Sequence, residues 1–451
     1  MQLTNKPGAL RLGLMAAACS LLAPTLPAQE APSALSDSDG SMKADVGLFH
    51  YSENGGRIQS LDAIVDLKRD YGDEHVLGAH LALDTLSGGS PNGALPQRAA
   101  QTFATPSGTS LQASTGTGPV TYTTASGRTV AQLAKVTLYT TNAGALPLDP
   151  NFKDRREALD LSWSQPLGLD RHIAFGGHFS HEMDFLSVAG NAFISQDFNN
   201  KNSTLGVGLN AEFDQVKPIG GVPVAGSDYT LLQKTDSRSK QVKGGQIGLT
   251  QVIARYWIVQ ANYSLDKSNG YLTDPYKIMS LVDGTGTVTG YAFERRPEDR
   301  TRRSFYVGNK VALGSTVLDV SYRHGMDSWG INTDTVDARY RFTVGNPDLY
   351  LEPHLRWYRQ GKADFYSLYL DGSATLPTYM SADPRLAAFT GQTIGVKLGL
   401  LLANEQEVTF RLEGYQQDPS QRHSNLSALS GLDLNPALRS VVFQVNWRYG
   451  Y

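Results

Sequence analysis

The chain has 451 residues, 40 Lys and Arg against 43 Asp and Glu, and one cysteine, Cys19. A lone cysteine excludes a disulfide framework and a thiolate metal site, and a net charge of −3 leaves no basic footprint for nucleic acid. Beyond the N-terminal region nothing approaches the roughly 20 consecutive apolar residues of a membrane helix.

In chain order, the first element is a leader. Lys6 and Arg11 precede an apolar run from Leu12 to Leu26 that only Gly13, Ser20, Pro24 and Thr25 interrupt. This is the layout of a secretory signal peptide over 1–28, with cleavage expected after Ala28. The run is too short for an anchoring helix, and Pro24 and Pro27 break it. A lipoprotein cut before Cys19 would leave too short an apolar stretch. Losing Lys6 and Arg11 leaves 38 basic residues against 43 acidic ones, and the mature chain has no cysteine. Residues 29–42 are expected as a short periplasmic segment.

Sixteen β-strands follow from alternation with period two. They are predicted at 43–52, 57–69, 74–86, 154–165, 171–183, 186–198, 202–214, 242–254, 257–268, 301–313, 316–325, 332–343, 348–359, 391–401, 406–417 and 439–451. In 202–214, Leu205, Val207, Leu209, Ala211 and Phe213 alternate with polar residues and glycine. Trp257, Val259, Ala261, Tyr263 and Leu265 repeat the pattern. Lengths of about ten to thirteen residues suit tilted membrane crossings. In the last strand Val441, Phe443, Val445, Trp447, Tyr449 and Tyr451 share one face. A chain ending flush on such an aromatic resembles the assembly signal that bacterial outer-membrane barrels present to the barrel-assembly machinery, with Phe443, Val445, Trp447, Tyr449 and Tyr451 as its residues.

Loop lengths sort by parity. Connections after even-numbered strands are all short. The long ones, 87–153, 215–241, 269–300, 360–390 and 418–438, all follow odd-numbered strands. Short periplasmic turns and long extracellular loops are the habit of transmembrane barrels. The fold class expected is therefore all-β: one up-and-down antiparallel barrel over 43–451, of 16 strands, with both termini periplasmic. Within 87–153, Val120–Thr124 and Lys135–Thr140 flank a Ser126–Gly127 turn signal. If that hairpin joins the wall the count becomes 18. Its Gly, Ser, Thr and Pro content favours a mobile external loop.

The polar phases of the later strands carry charges: Asp319 and Arg323; Asp337, Arg339 and Arg341; Glu352, His354 and Arg356; Glu407, Arg411 and Glu413. On the lipid face an unpaired charge costs about 2–4 kcal/mol near the midplane, so these residues are expected to face the lumen. They form either an ion-pair ladder that stiffens the wall or a constriction that selects solutes by charge.

Other clusters carry less. His178, His181, Glu182 and Asp184 offer ligand chemistry, but alternation sends His181 to the opposite face from His178, so they are expected as polar rim residues and no metal is expected. The run Glu294 to Arg303 interleaves acids with arginines. It is expected as a solvated loop touching outer-membrane lipid and lipopolysaccharide phosphates through Arg. Gly284–Gly290 lacks the Lys and helix of a phosphate-binding loop. A hydrolase at the extracellular rim would have to use Ser180 with His181, or Ser187 with Asp184, and neither has the spacing of a catalytic motif. No enzyme, catalytic residue or cofactor is expected.

Several segments in order resemble one bacterial outer-membrane family, catalogued as domain of unknown function 3570. They are Asp84-Thr-Leu-Ser-Gly-Gly-Ser-Pro-Asn-Gly93, Phe152-Lys-Asp-Arg155, His181-Glu-Met-Asp-Phe-Leu-Ser187, Asp197-Phe-Asn-Asn-Lys-Asn202 and Pro218-Ile-Gly-Gly-Val-Pro223. Further on come Gly270-Tyr-Leu-Thr-Asp-Pro-Tyr-Lys277, Glu294-Arg-Arg-Pro297, Asp327-Ser-Trp-Gly-Ile331, Glu352-Pro-His-Leu-Arg356 and Ala363-Asp-Phe-Tyr366. Gly361-Lys362 departs from the small uncharged residues of that pattern. The resemblance implies a β-barrel in Gram-negative outer membranes and no established activity. It also implies neighbours in an envelope redox system: a small lipoprotein, a thioredoxin-like periplasmic protein and a flavin-attaching transferase. The function expected is a porin-like channel, or a transport or docking barrel, with the rim hydrolase as the alternative.

Overall fold

The computed structural model describes residues 42–104, 120–123, 129–132, 138–218, 221–229 and 234–450. The expected signal peptide, residues 29–41 and Tyr451 lie outside the described residues. Sixteen strands form one closed antiparallel barrel in strict chain order. They are β1 Met42–Glu53, β2 Gln59–Asp70, β3 Val76–Ser87, β4 Lys153–Pro166, β5 Arg171–His181, β6 Phe185–Phe198, β7 Ser203–Val216 and β8 Arg238–Ala254. They continue with β9 Trp257–Gly270, β10 Asp299–Leu313, β11 Thr316–Asp327, β12 Asn332–Val344, β13 Asn346–Gln360, β14 Phe389–Leu402, β15 Gln406–Pro419 and β16 Leu438–Tyr449. With strands about 4.8 Å apart and tilted by about 35–45°, such a wall is about 30 Å across.

Closure happens where the first and last strands meet. β16 pairs with β1 from Ala44↔Tyr449 to Glu53↔Ser440, and on its other edge with β15 from Gln406↔Tyr449 to Gln417↔Leu438. No edge strand remains, as lipid requires. The outward series is apolar and open: Leu61 is 57 % exposed, Leu209 63 %, Ile394 66 % and Val441 51 %. A water-soluble surface does not carry dozens of large exposed hydrophobics in one belt. Phe443, Val445, Trp447 and Tyr449 lie on this face of β16, with Trp447 and Tyr449 stacked at 6.3 Å.

The short turns after even-numbered strands are tight. A single residue, Gly345 at φ 67°, joins β12 to β13. Not every connection at the other end is long, since 54–58, 182–184 and 328–331 are brief. The described residues of 88–152 add no strand to the wall. Val120–Thr123 pairs with Thr129–Gln132, whereas Leu138–Thr141 pairs with Gln101–Ala104. The expected hairpin is thus shifted: its second arm is the nearer segment, because a tight turn closes locally before the distant one can compete.

The larger correction concerns 87–153, expected as a mobile external loop. Its described residues pack with four other connections into a folded mouth. Leu95, Val282, Trp329, Ile331, Ala363, Tyr366, Leu368, Leu386, Ala387, Leu429 and Leu434 form one buried apolar cluster. These come from the connections after β3, β9, β11, β13 and β15. The β3–β4 and β9–β10 junctions are six strands apart on a sixteen-strand ring, so the hydrogen bond that the Leu95 backbone N–H donates to the Ser280 hydroxyl at 3.0 Å crosses the opening. The cluster is held by close backbone approaches. Gly93, at φ 96°, leaves no space for a side chain beside the Ile278 carbonyl, and Gly330, at φ 84°, faces the Asp364 carboxylate.

Closure gives a test. Deleting Tyr449–Tyr451 removes the residue that pairs with both Ala44 and Gln406 and reopens part of the seam. Heat-modifiable barrel in outer-membrane fractions should drop several-fold. An undiminished level would contradict the pairing as the determinant of assembly.

Candidate functional site: the lumen wall and the closed mouth

Curvature decides which face the charges occupy. Arg341 on β12 reaches Glu407 on β15 at 3.5 Å, and its guanidinium lies 3.5 Å from the centre of the Tyr350 ring on β13. A contact over three strand spacings is made only across the concave side, because on the convex side neighbouring side chains splay apart. Glu407 is 3 % exposed and also accepts from the Tyr350 hydroxyl. Arg448 on β16 ties it to the seam, 2.9 Å from Glu407 and 2.9 Å from Asp45 on β1.

The other charges of this wall pair in sequence. His354 sits between two carboxylates, with Nε2 2.9 Å from Asp337 and Nδ1 2.9 Å from Glu413. Arg339 lies 3.5 Å from Asp337, Arg411 3.8 Å from Glu413, Glu352 3.2 Å from Lys397, and Asp319 3.5 Å from Lys310. Gly395 and Gly399 of β14 supply the gap: a methyl group on either would collide with Glu413 or with the Tyr350 ring. Arg323 and Arg356 differ from the rest. Neither forms an ion pair among the described residues, and Arg323 lies over the Tyr306 ring at 5.4 Å.

The facing wall holds a second ladder that sequence reasoning missed. Asp45, Asp66, His80, Asp160 and His178 stand directly opposite one another on β1 to β5. Asp66 and His80 are 2.6 Å apart, as are Asp160 and His178. Counting by two along these strands would have found them, as it would have found Lys397 and Arg448. His178, read from sequence as a rim residue, belongs to this ladder. Water reaches both walls, since the side chains of Asp160 and Asp66 keep 44 % and 35 % of their surface open and those of Arg339 and Asp337 keep 21 %.

Above the lumen, the mouth contains a buried ionic knot. Glu294, Asp383 and Lys277 are 0 %, 1 % and 2 % exposed. Arg296 lies 2.7 Å from both Glu294 and Asp383; Arg385 joins Asp383 at 2.6 Å and Asp274. The Lys277 ammonium donates to the Ser90 hydroxyl at 2.6 Å and the Pro91 carbonyl at 2.5 Å. Burial pushes the Glu294 carboxyl up and the Lys277 ammonium down. Burial also acts against ionised Asp383, but Arg385, Arg296 and Lys277 outweigh it and hold that carboxyl well below the usual range. The run Glu294 to Arg303, expected as a solvated loop, is therefore partly interior. Its interleaved signs are the means by which a buried knot is neutralised. Arg300 too is engaged, stacked on Trp329 at 4.3 Å and paired with Asp327.

At the rim, Asp154 joins Glu182 and Asp184, with one ligand-capable atom from each within 4.8 Å of the others. Asp184 accepts from the Tyr276 hydroxyl. Burial, then the Asp154 carboxylate, pushes Glu182 up to about 7. Ser180 is buried at 3 % while the neighbouring His181 is exposed; strand alternation turns hydroxyl and imidazole apart, so no Ser–His pair forms there.

Residues 12–449 match the model of a family described as Protein of unknown function (DUF3570). The chain belongs to that family. No curated protein sequence matches it. Among solved structures, Pseudomonas aeruginosa OccD3 (OpdP) aligns at 8 % identity and TM-score 0.39, covering 91 % of this chain and 91 % of that one. The outer membrane protein opdK from Pseudomonas aeruginosa aligns at 10 % identity and TM-score 0.39, with 92 % and 99 % covered. The ferric enterobactin receptor PfeA (mutant R480A_Q482A) from Pseudomonas aeruginosa aligns at 8 % identity and TM-score 0.36, with 90 % and 80 % covered. This DUF3570 chain, closed and ringed by apolar side chains, has the architecture of an outer-membrane barrel.

Two outcomes follow from the ion pairs. Arg448→Gln removes the guanidinium shared by Asp45 and the buried Glu407, leaving Glu407 only Arg341 and the Tyr350 hydroxyl, and should cost about 3 kcal/mol, read as a lower urea midpoint for the barrel refolded in detergent. Asp383→Asn leaves the Arg296 and Arg385 guanidiniums facing each other, and limited proteolysis should cut the mouth segments faster. Because folding holds Asp383 below its unfolded pKa, its contribution is present above the usual aspartate range and lost as pH falls through and below it. Wild-type protection should therefore fall in strong acid and the Asp383→Asn variant should show less of that fall.

Proposed function

We propose that this protein is a non-enzymatic, porin-like barrel of the outer membrane that passes small polar solutes, with both termini periplasmic and the packed mouth at the cell surface. The supporting observation is the wet lumen: a wall about 30 Å across whose facing ionic ladders keep much of their side-chain surface open to water. A ring of sixteen strands is too wide for its side chains to fill, so the space between the ladders holds water and offers polar solutes a path. The folded mouth makes passage conditional. Its closure rests on buried apolar clusters and a charge-neutral knot, and loosening either widens the path.

Charge selection in this reading falls to Arg323 and Arg356. The paired arginines are locally neutralised. These two leave net positive potential on one wall, which favours anions in a confined aqueous path. Planar-bilayer recording on the purified full-length barrel is the test. Wild type should give small or intermittent steps, Asp383→Asn larger or longer ones, and a reversal potential in a salt gradient should show anion preference. In Arg323→Gln/Arg356→Gln that preference should shrink severalfold with the barrel's melting temperature unchanged, because neither arginine has an ion-pair partner to strand. Absence of any current from wild type and from Asp383→Asn would overturn passage in favour of a docking barrel.

A further inference from the structure

On the outer face of the barrel, at its loop end, three cations gather on three adjacent strands. Lys243 on β8 stands directly opposite Lys267 on β9. Arg303 on β10 is opposite Leu265, one same-face step from Lys267, which itself opposes Thr301. All three are exposed. They continue the lipid-facing phase of their strands: Ile247, Leu265 and Phe305, 48 %, 42 % and 47 % exposed, lie below them on the same face. Among the described residues none of the three has an ion pair. Two outer-facing carboxylates stand nearby, too few to match three cations: Asp299 at the loop end of β10, exposed and in no ion pair among the described residues, and Asp334 on β12, already engaged by His324 at 2.9 Å and the Tyr322 hydroxyl at 2.7 Å.

Like charges directly opposite across a strand pair repel and destabilise the pair. Single interfacial lysines are common because they snorkel to water, but that explains one residue, not an opposed pair with a third cation beside it. The arrangement needs an anionic counterpart that comes from outside the chain, sits at the edge of the apolar belt and spans several strands. A phosphorylated lipid meets all three conditions: its phosphates meet the cations while its acyl chains lie on Ile247, Leu265 and Phe305. The mouth segments emerge at this same end, and in the placement proposed above that end faces the outer leaflet, whose lipid is lipopolysaccharide.

We infer that Lys243, Lys267 and Arg303 form a docking site for the phosphate groups of lipopolysaccharide. The inference rests on the outer-membrane orientation proposed above and not on conduction. Within the Glu294–Arg303 run, Arg296 and Arg300 are engaged inside the mouth, and the inference moves lipid contact to Arg303 and the outer wall.

The test uses full-length barrel refolded in detergent free of lipopolysaccharide, then titrated with lipopolysaccharide, with the same lipid after enzymatic removal of its phosphates, and with phosphatidylglycerol. Melting temperature and native mass spectrometry report binding. Wild type should bind lipopolysaccharide saturably and gain melting temperature, at least tenfold more tightly than the dephosphorylated lipid or phosphatidylglycerol. Lys243→Gln/Lys267→Gln/Arg303→Gln should lose at least tenfold in affinity, whereas Arg255→Gln, an exposed cation at the short-turn end, should not. In lipid-free detergent the triple variant should melt at or above the wild-type temperature, since the opposed repulsion is gone. That opposite sign separates the proposal from simple misfolding. Equal binding by the triple variant, or by the dephosphorylated lipid, overturns the site; equal binding of phosphatidylglycerol overturns lipopolysaccharide as its source.

Discussion

The constraint on which the rest depends is that lipid offers the backbone no hydrogen bonds. Every strand must find two partners, so the sheet must close, and closure forces β1 onto β16. The alternation follows from it. A closed wall has an outside that meets acyl chains and an inside that does not, and side chains of period two sort between them. Strict chain order follows as well, since up-and-down pairing satisfies every strand with the shortest connections at one end. The other end is then free to carry long segments, and all the elaboration of this protein is there.

Closure also creates an inside too wide to fill. A barrel of sixteen strands leaves more space than two layers of side chains occupy, so the wall is finished with ion pairs and water, not with a core. The concave side brings residues three strands apart into contact, as with Arg341 and Glu407, and so lets charge pairs brace the wall across its curve. The apolar core that this chain does possess lies in the mouth, where Leu95, Trp329, Tyr366 and Leu429 meet away from lipid. The molecule is thus apolar outside at mid-height, wet inside, and conventionally packed only at one end.

What was legible in the sequence follows the same division. The sixteen strands and the seam were readable because lipid enforces period two on each strand separately, as Leu205 to Phe213 shows. The period-two phase that sets Asp337, Arg339 and Arg341 on one face and Val336, Ala338 and Tyr340 on the other was readable for the same reason. Their partners were not. Arg341 finds Glu407 through curvature and not through spacing along the chain, and although period two marks the polar face that holds His80, its pairing with Asp66 needs the register of β2 with β3. The mouth was opaque: its hydrophobic residues are scattered through Gly-, Ser- and Pro-rich segments without period, and composition of that kind reads as loose loop. Glu294 and Arg296 misled in a particular way. Interleaved charges describe both a solvated segment and a neutral buried knot, and only tertiary packing tells the two apart.

The segments that carry the DUF3570 resemblance bear on what the mouth is for. Gly93, Lys277, Glu294 and Arg296, Trp329 and Ile331, and Ala363 and Tyr366 are all residues of the apolar cluster, the ionic knot or the glycine approaches that hold them. The barrel wall contributes comparatively little to that pattern, because many apolar residues serve equally well against lipid, whereas a knot of three acids and three bases admits few substitutions. In the channel proposed above, opening this closure is the step that admits a solute. The knot suits that role. Its charges cancel while it is intact, but separating any one pair leaves an uncompensated ion in a buried site, so partial opening is disfavoured and the mouth tends toward two states, closed or released.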